Sequence, residues 1–153
     1  MAFHPDELSD DAVTFLTVPR VIASLATTRA DGRPHIAAVG YTFDRARNLV
    51  QIVTKPGSQK VRNVLAGSAA VLNQIDGMLW LQLVGPATVS DDPAVLHDAY
   101  ERFAARYGRV HEGEELTVVQ LAVQRCIGPI NGWGRVGFDP SESVIQRRSE
   151  SSE

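Results

Sequence analysis

Cysteine is almost absent from this chain of 153 residues: Cys126 stands alone. No disulfide can therefore form within the chain, and no cysteine zinc cluster can be built. Cys126 lies in the alternating apolar run "LTVVQLAVQRCI", which reads as the setting of a buried structural thiol. No apolar stretch approaches the roughly 20 residues of a membrane span, and the opening "MAFHPDELSDD" is too acidic for a secretory leader. No long basic run occurs, and the formal net charge of −3 argues against a general nucleic-acid binder. The expected compartment is the cytoplasm, with neither membrane nor nucleic acid as partner. His35, His97 and His111 lack a second ligand at metal spacing, so they read as structural or surface residues and no metal is expected. No internal repeat or Pro/Ser linker divides the chain. One domain is expected over 1–138, followed by a flexible, polar C-terminal tail over 139–153. Lysine is nearly as scarce as cysteine: Lys55 and Lys60 are the only two, and both fall in "TKPGSQKVRN".

What is present is ordinary globular material, 44% hydrophobic and 22% charged, long enough to bury a core. Leu8, Ala12, Phe15 and Leu16 recur at helical spacing, with Ser9 or Asp6 available as N-cap. From Arg20 the period changes to two. "RVIASLATT", "HIAAVGYTF", "LVQIVT", "AAVLNQI", "MLWLQLVGPATVS" and "LTVVQLAVQRCI" read as six strands, with Asp31-Gly32 and Asp76-Gly77 as turns. Ser58 is placed to start a short helix that Gly67 closes in the left-handed conformation. Asp92-Pro93 starts a longer helix, whose Leu96, Ala99, Tyr100, Phe103 and Tyr107 share one face. The fold class expected is mainly β: a six-stranded antiparallel split β-barrel with flanking α-helices. Tyr41, Trp80 and Leu81 are large residues taken to face outward from apolar strands, so a homodimer that covers them is expected.

The chemistry concentrates where the third strand ends. The first turn of a helix has unpaired N–H groups and a partial positive charge. Gly57 lets backbone approach a ligand there, Ser58 offers a hydroxyl, Lys60 adds a formal charge, and Asn63 lies one turn further on. Taken alone, these residues suit an anion site or a solvated loop with surface lysines.

The ordered segments "LSDDAVTFL", "TTRADGRPHIAAVGYTFD", "GSQKVRN", "AVLNQIDGMLWLQLVGPATV" and "YERFAARY" span Leu8 to about Tyr107. They resemble the split β-barrel flavin-binding family typified by pyridoxamine 5′-phosphate oxidase, and within it the branch that uses the deazaflavin coenzyme F420. The resemblance implies that Ala37, Ala38 and Val39 lie in the strand lining the ring, and that Val53 and Thr54 contact its ribityl side. It also implies that Ser58, Gln59 and Lys60 form the phosphate-holding turn. Lys55 precedes Pro56, which favours extended backbone at a strand end, so it reads mainly as a surface residue near the same mouth, its side chain reaching either solvent or the F420 carboxylate tail. Trp80 falls where the fifth strand reaches the ring at a dimer interface, although a large aromatic on a strand is as readily packing.

The departures from the oxidase pattern bear on the cofactor. That pattern places arginines at the positions of Ile36 and Gln59. The terminal phosphate of FMN carries close to two negative charges and favours several cations, whereas the internal phosphodiester of F420 carries one, which Lys60 and helix-end amides can balance. F420 is therefore the expected cofactor, with FMN as the alternative. The expected function is F420H2-dependent hydride transfer to a conjugated organic acceptor such as biliverdin. Arg29, Arg33 and Arg62 are candidates for propionate binding, and the proton is expected from solvent. The alternatives are an FMN-dependent enzyme of the pyridoxamine-phosphate oxidase type and a non-catalytic F420 or tetrapyrrole carrier. "INGWGRVGFDPSES", with Trp133 and Arg135, either closes over a neighbouring site or packs on the barrel.

Overall fold

The computed structural model describes residues 2–129. In chain order these form β1 (Ala2–Phe3), a 3-10 turn (Pro5–Glu7), α1 (Asp10–Thr17), β2 (Ala23–Thr28), β3 (Pro34–Val39), β4 (Thr42–Asp44) and β5 (Leu49–Thr54). Next come α2 (Gln59–Leu65), β6 (Ala70–Asp76), β7 (Leu79–Gly85), β8 (Ala87–Ser90), α3 (Pro93–Tyr107), β9 (Thr117–Ala122) and β10 (Arg125–Ile127). The domain boundary at 138, the tail over 139–153, and Trp133 and Arg135 lie outside the described residues.

The strands make two antiparallel sheets, one of six in the order β1-β10-β7-β6-β2-β3 and one of four in the order β4-β5-β9-β8. This corrects the expected six-stranded barrel: the sheets are not closed into one. Three of the six expected strands each break and continue in the other sheet, at Gly40-Tyr41, at Pro86 and at Val123-Gln124. The breaks have steric causes. Pro86 has no N–H to give a ladder. A Cβ on Gly85 would lie 1.9 Å from the Ala122 carbonyl oxygen, and one on Gly40 would lie 2.9 Å from the Phe103 ring. Apolar periodicity reports which face a residue occupies and is blind to such bends.

Between the sheets sits the main core. Leu25, Leu72, Leu81 and Leu83 of the six-stranded sheet meet Val50, Ile52, Val119 and Leu121 of the other, capped by Phe15 and Leu16 of α1. Each such side chain contributes about 1.5–3 kcal/mol by leaving water. Tyr41 and Leu81 are both 0% exposed, so they do not face outward as expected. Leu81 falls on the inward alternation of β7, with Trp80 on the opposite face, and Tyr41 turns inward at the break after Gly40. Cys126 is buried, and burial pushes its thiol up to about 11, which leaves it unreactive.

Local capping follows the sequence closely. Ser9, rather than Asp6, caps α1 and accepts from Ala12 N–H at 3.1 Å, while Asp6 belongs to the 3-10 turn capped by His4. Asp92 caps α3 and accepts from Ala94 N–H at 2.8 Å, with Pro93 in the first turn. Ala99 and Phe103 of α3 form a second apolar cluster with Val53 and Val118, so α3 lies along the sheet end where β5 finishes.

Candidate functional site

A cleft of about 300 Å³ opens at that sheet end. One wall is the end of β3, Ala38 and Val39, with Gly40 after it; the floor is Ile52, Val53 and Thr54 of β5. Lys55, Ser58 and Lys60 form the lip, and Phe103, His111 and Leu116 close the far side. The site exists because three local events coincide: β3 stops at Gly40, β5 stops before Pro56, and α2 starts one turn later.

The lip has the electrostatics of an anion cradle. Ser58 has the extended backbone of an N-cap (φ −66°, ψ 154°) but makes no side-chain cap bond. Its buried Oγ has no hydrogen-bond partner among the described residues, which is uncommon enough to need an explanation. Lys60 is half-buried and makes no ion pair among the described residues. Burial alone holds its ammonium below the ordinary lysine range, since a desolvated charge with no counter-ion is disfavoured. A hydroxyl without a partner and an ammonium without a counter-ion, both from residues that line one cleft, suit one modestly charged phosphate. Lys55 differs: its side chain is 68% exposed and its Nζ lies 3.8 Å from Glu114 Oε1.

The other sequence-predicted residues distribute as follows. Ala37 packs against the core instead of the cleft. Gln59 accepts from Arg62 at 2.6 Å and donates to Asn63 Oδ1 at 2.7 Å. Asn63 is buried and donates to Thr27 Oγ1 at 3.0 Å, which ties α2 to β2. Gln59, Arg62 and Asn63 thus bond to one another or to Thr27, and none lines the cleft. Arg33 is held by Asp31 at 2.8 Å. Arg29 lines a separate surface cavity of about 550 Å³ with Pro34 and Val84. Trp80 lies on the outward face of β7 opposite Ile75, away from the cleft of its own chain.

Gly40, Ile52, Phe103, His111 and Leu116 were not read from the sequence as site residues. Phe103 was legible only as a helix core residue, and His111 sits in a polar loop with no periodicity to orient it. A second cavity of about 430 Å³ adjoins the cleft; it is lined by Leu96, His97, Tyr100, Glu112 and Glu114 and shares His111 and Leu116 with it.

Several known proteins resemble this chain in sequence or in fold. The chain is 41% identical over 121 residues to the F420H2-dependent biliverdin reductase of Mycobacterium tuberculosis strain CDC 1551, covering 79% of this chain and 88% of that protein. A solved F420 reductase superposes with a TM-score of 0.58 at 21% identity, over 73% of this chain and 93% of the other. HupZ of Group A Streptococcus superposes with a TM-score of 0.65 at 17% identity, over 80% and 94% of the two chains. At those identities the two structures attest the fold. Residues 8–127, from just before α1 to the end of β10, match the pyridoxamine 5′-phosphate oxidase family, and the chain belongs to that family.

Proposed function

We propose that this protein is an F420H2-dependent reductase that passes a hydride from the reduced deazaflavin to a conjugated organic acceptor, with biliverdin as the first acceptor to test. The observation that carries the reading is the 41% identity to an F420H2-dependent biliverdin reductase over most of both chains. The cleft supports it. One half-buried lysine and one free serine hydroxyl match a singly charged phosphodiester better than a phosphate monoester near two charges. Lys60 and Ser58 would hold the phosphate, Thr54 and Val53 would flank the ribityl chain, and the backbone of Ala38 and Val39 would support the ring. When bound, the deazaflavin supplies a hydride and reacts poorly with oxygen. The chain contributes position, an apolar floor and exclusion of water.

A homodimer belongs to the same reading. Ile22, Ile36, Ile75 and Met78 are between 59% and 85% exposed, and Ile36 shares the outward face of β3 with the cleft residue Ala38. A second copy covering that face would border the cleft and bring its own side chains to it.

Parallel titration with F420 and FMN, followed by an acceptor screen with F420H2, tests the function. Tight F420 binding with acceptor-dependent F420H2 oxidation is the expected result. Yellow protein with bound FMN and peroxide formation would point to the oxidase alternative. F420 binding without turnover on any acceptor would point to a carrier.

A further inference from the structure

The cleft and the cavity beside it share His111 and Leu116, and the His111 ring centre lies 6.5 Å from that of Phe103 on the cleft wall. The Nδ1 of His111 lies 3.1 Å from Glu114 Oε2, and the other oxygen of that carboxylate lies 3.8 Å from Lys55 Nζ at the cleft lip. A carboxylate only accepts, so in the neutral imidazole Nδ1 carries the hydrogen and Nε2 keeps the free lone pair. Protonation of Nε2 then gives an imidazolium whose positive charge faces the Glu114 carboxylate. The ring is placed by a turn: His111 has φ +62°, a left-handed conformation in which histidine is among the enriched residues, and its carbonyl accepts from Glu114 N–H at 3.3 Å. The titratable and charged groups that line the same two spaces are Lys55 and Lys60 in the cleft, and His97, Tyr100, Glu112 and Glu114 in the adjoining cavity.

Resting on the F420 reading above, we propose that His111, oriented by Glu114, is the proton donor to the acceptor. Hydride from the reduced deazaflavin adds to one end of a conjugated C=C or C=N unit, breaks its π bond and leaves an electron pair on the other end. That atom takes the proton from Nε2 of the imidazolium as the N–H bond breaks. The acceptor gains two electrons and two hydrogens; the reduced deazaflavin loses that hydride and, to water, one proton, and the neutral imidazole regains a proton from water. No Asp, Glu or His lies on β5, which forms the floor, and His35 of β3 is not among the lining residues, whereas His111 is.

Three variants test this: His111→Gln, His111→Ala and Glu114→Gln, each compared with the parent protein for F420 affinity by fluorescence and for F420H2 oxidation by stopped flow with biliverdin. His111→Gln is expected to lower kcat about a hundredfold, the usual scale of a general acid, while F420 affinity stays within about twofold. Added imidazole is expected to restore much of the rate of His111→Ala, which a merely structural role would not allow. In the cofactor-free protein, nitrogen NMR is expected to show the His111 hydrogen on Nδ1, and a mixture of tautomers in Glu114→Gln. An unchanged kcat in His111→Gln, no rescue by imidazole, or a hydrogen on Nε2 in the neutral parent protein would overturn the donor role alone. A parent protein that fails to oxidise F420H2 would overturn the F420 reading and the donor role with it.

Discussion

The guanidinium of Arg106 lies 4.6 Å from the centre of the Tyr41 ring and donates to the Tyr41 carbonyl at 2.8 Å. Two further bonds, at 2.9 and 2.8 Å, go to the Pro19 carbonyl. The buried charge is thus met by carbonyl dipoles and an aromatic face. Tyr41 in turn donates to Gln74 Oε1, and Gln74 donates to the Phe15 carbonyl at 2.7 Å. Burial pushes the Tyr41 phenol above its ordinary range, so it stays a neutral donor. The chain of bonds ties α3, the break after Gly40 and α1 together behind the cleft.

Arg106→Ala is therefore expected to cost about 3 kcal/mol, because it strands two buried carbonyls and leaves a void. Arg106→Lys should recover less than half of that, since an ammonium cannot reproduce the fork that meets Pro19 and Tyr41. Denaturant unfolding of both variants checks this, and a loss below about 1 kcal/mol for Arg106→Ala would show the network to be dispensable.

Gly85→Ala and Gly57→Ala make a matched pair. The first sets a methyl 1.9 Å from the backbone oxygen of Ala122, whereas the second meets nothing within 4 Å. About 2–4 kcal/mol of destabilisation is expected at Gly85, and under about 0.5 kcal/mol at Gly57. Thermal melts distinguish them; equal effects would mean the sheet crossing at Pro86 relaxes without cost.

Lys60→Ala is expected to weaken F420 binding about ten- to a hundredfold, the loss of a charge-assisted contact. Lys55→Ala should cost under about 1 kcal/mol, a loss that shrinks with added salt, because the side chain is exposed and already near Glu114. Calorimetric titration decides it. Equal small losses at both positions would mean that the lip holds no anion.

The sign of the pH dependence follows from the same residue. An anion favours protonated Lys60, whose folded-state affinity for the proton is lowered by burial. F420 affinity should therefore decline as pH rises through that lowered value, before an exposed lysine would lose its charge, and should be level in acid below it. In Lys60→Ala the decline should vanish. A fluorescence titration series from neutral to alkaline pH would show it, and an unchanged slope in the variant would assign the effect elsewhere.

Ile36→Asp and Ile75→Asp place charge on the outward face of the six-stranded sheet, where both isoleucines are exposed in the single chain. Light scattering is expected to show a dimer for the parent protein and a monomer for the variants, since each buried carboxylate would lack a partner. A monomeric parent at micromolar concentration would remove the second copy from the site.

Much of the fold was legible in near-neighbour chemistry. Asp92-Pro93 marks the start of α3, Asp31-Gly32 the β2–β3 turn with Gly32 at φ +88°, and Ser58 and Gly67 bracket α2. These depend on residues within one turn of each other, and the same holds for the paired floor residues Val53 and Thr54 at the end of an apolar run. Tertiary structure alone decided how that material is divided and aimed. Gly40 is a break because Phe103, far along the chain, occupies the space a side chain would need. Asn63 turns away from the cleft because Thr27 is there to accept its N–H, and Tyr41 goes inward because Arg106 and Gln74 receive it. His111 became a cleft residue only when the loop after α3 folded back over the end of β5. Periodicity encodes the face of an element, while the partner that face meets is set by contacts between residues far apart in sequence.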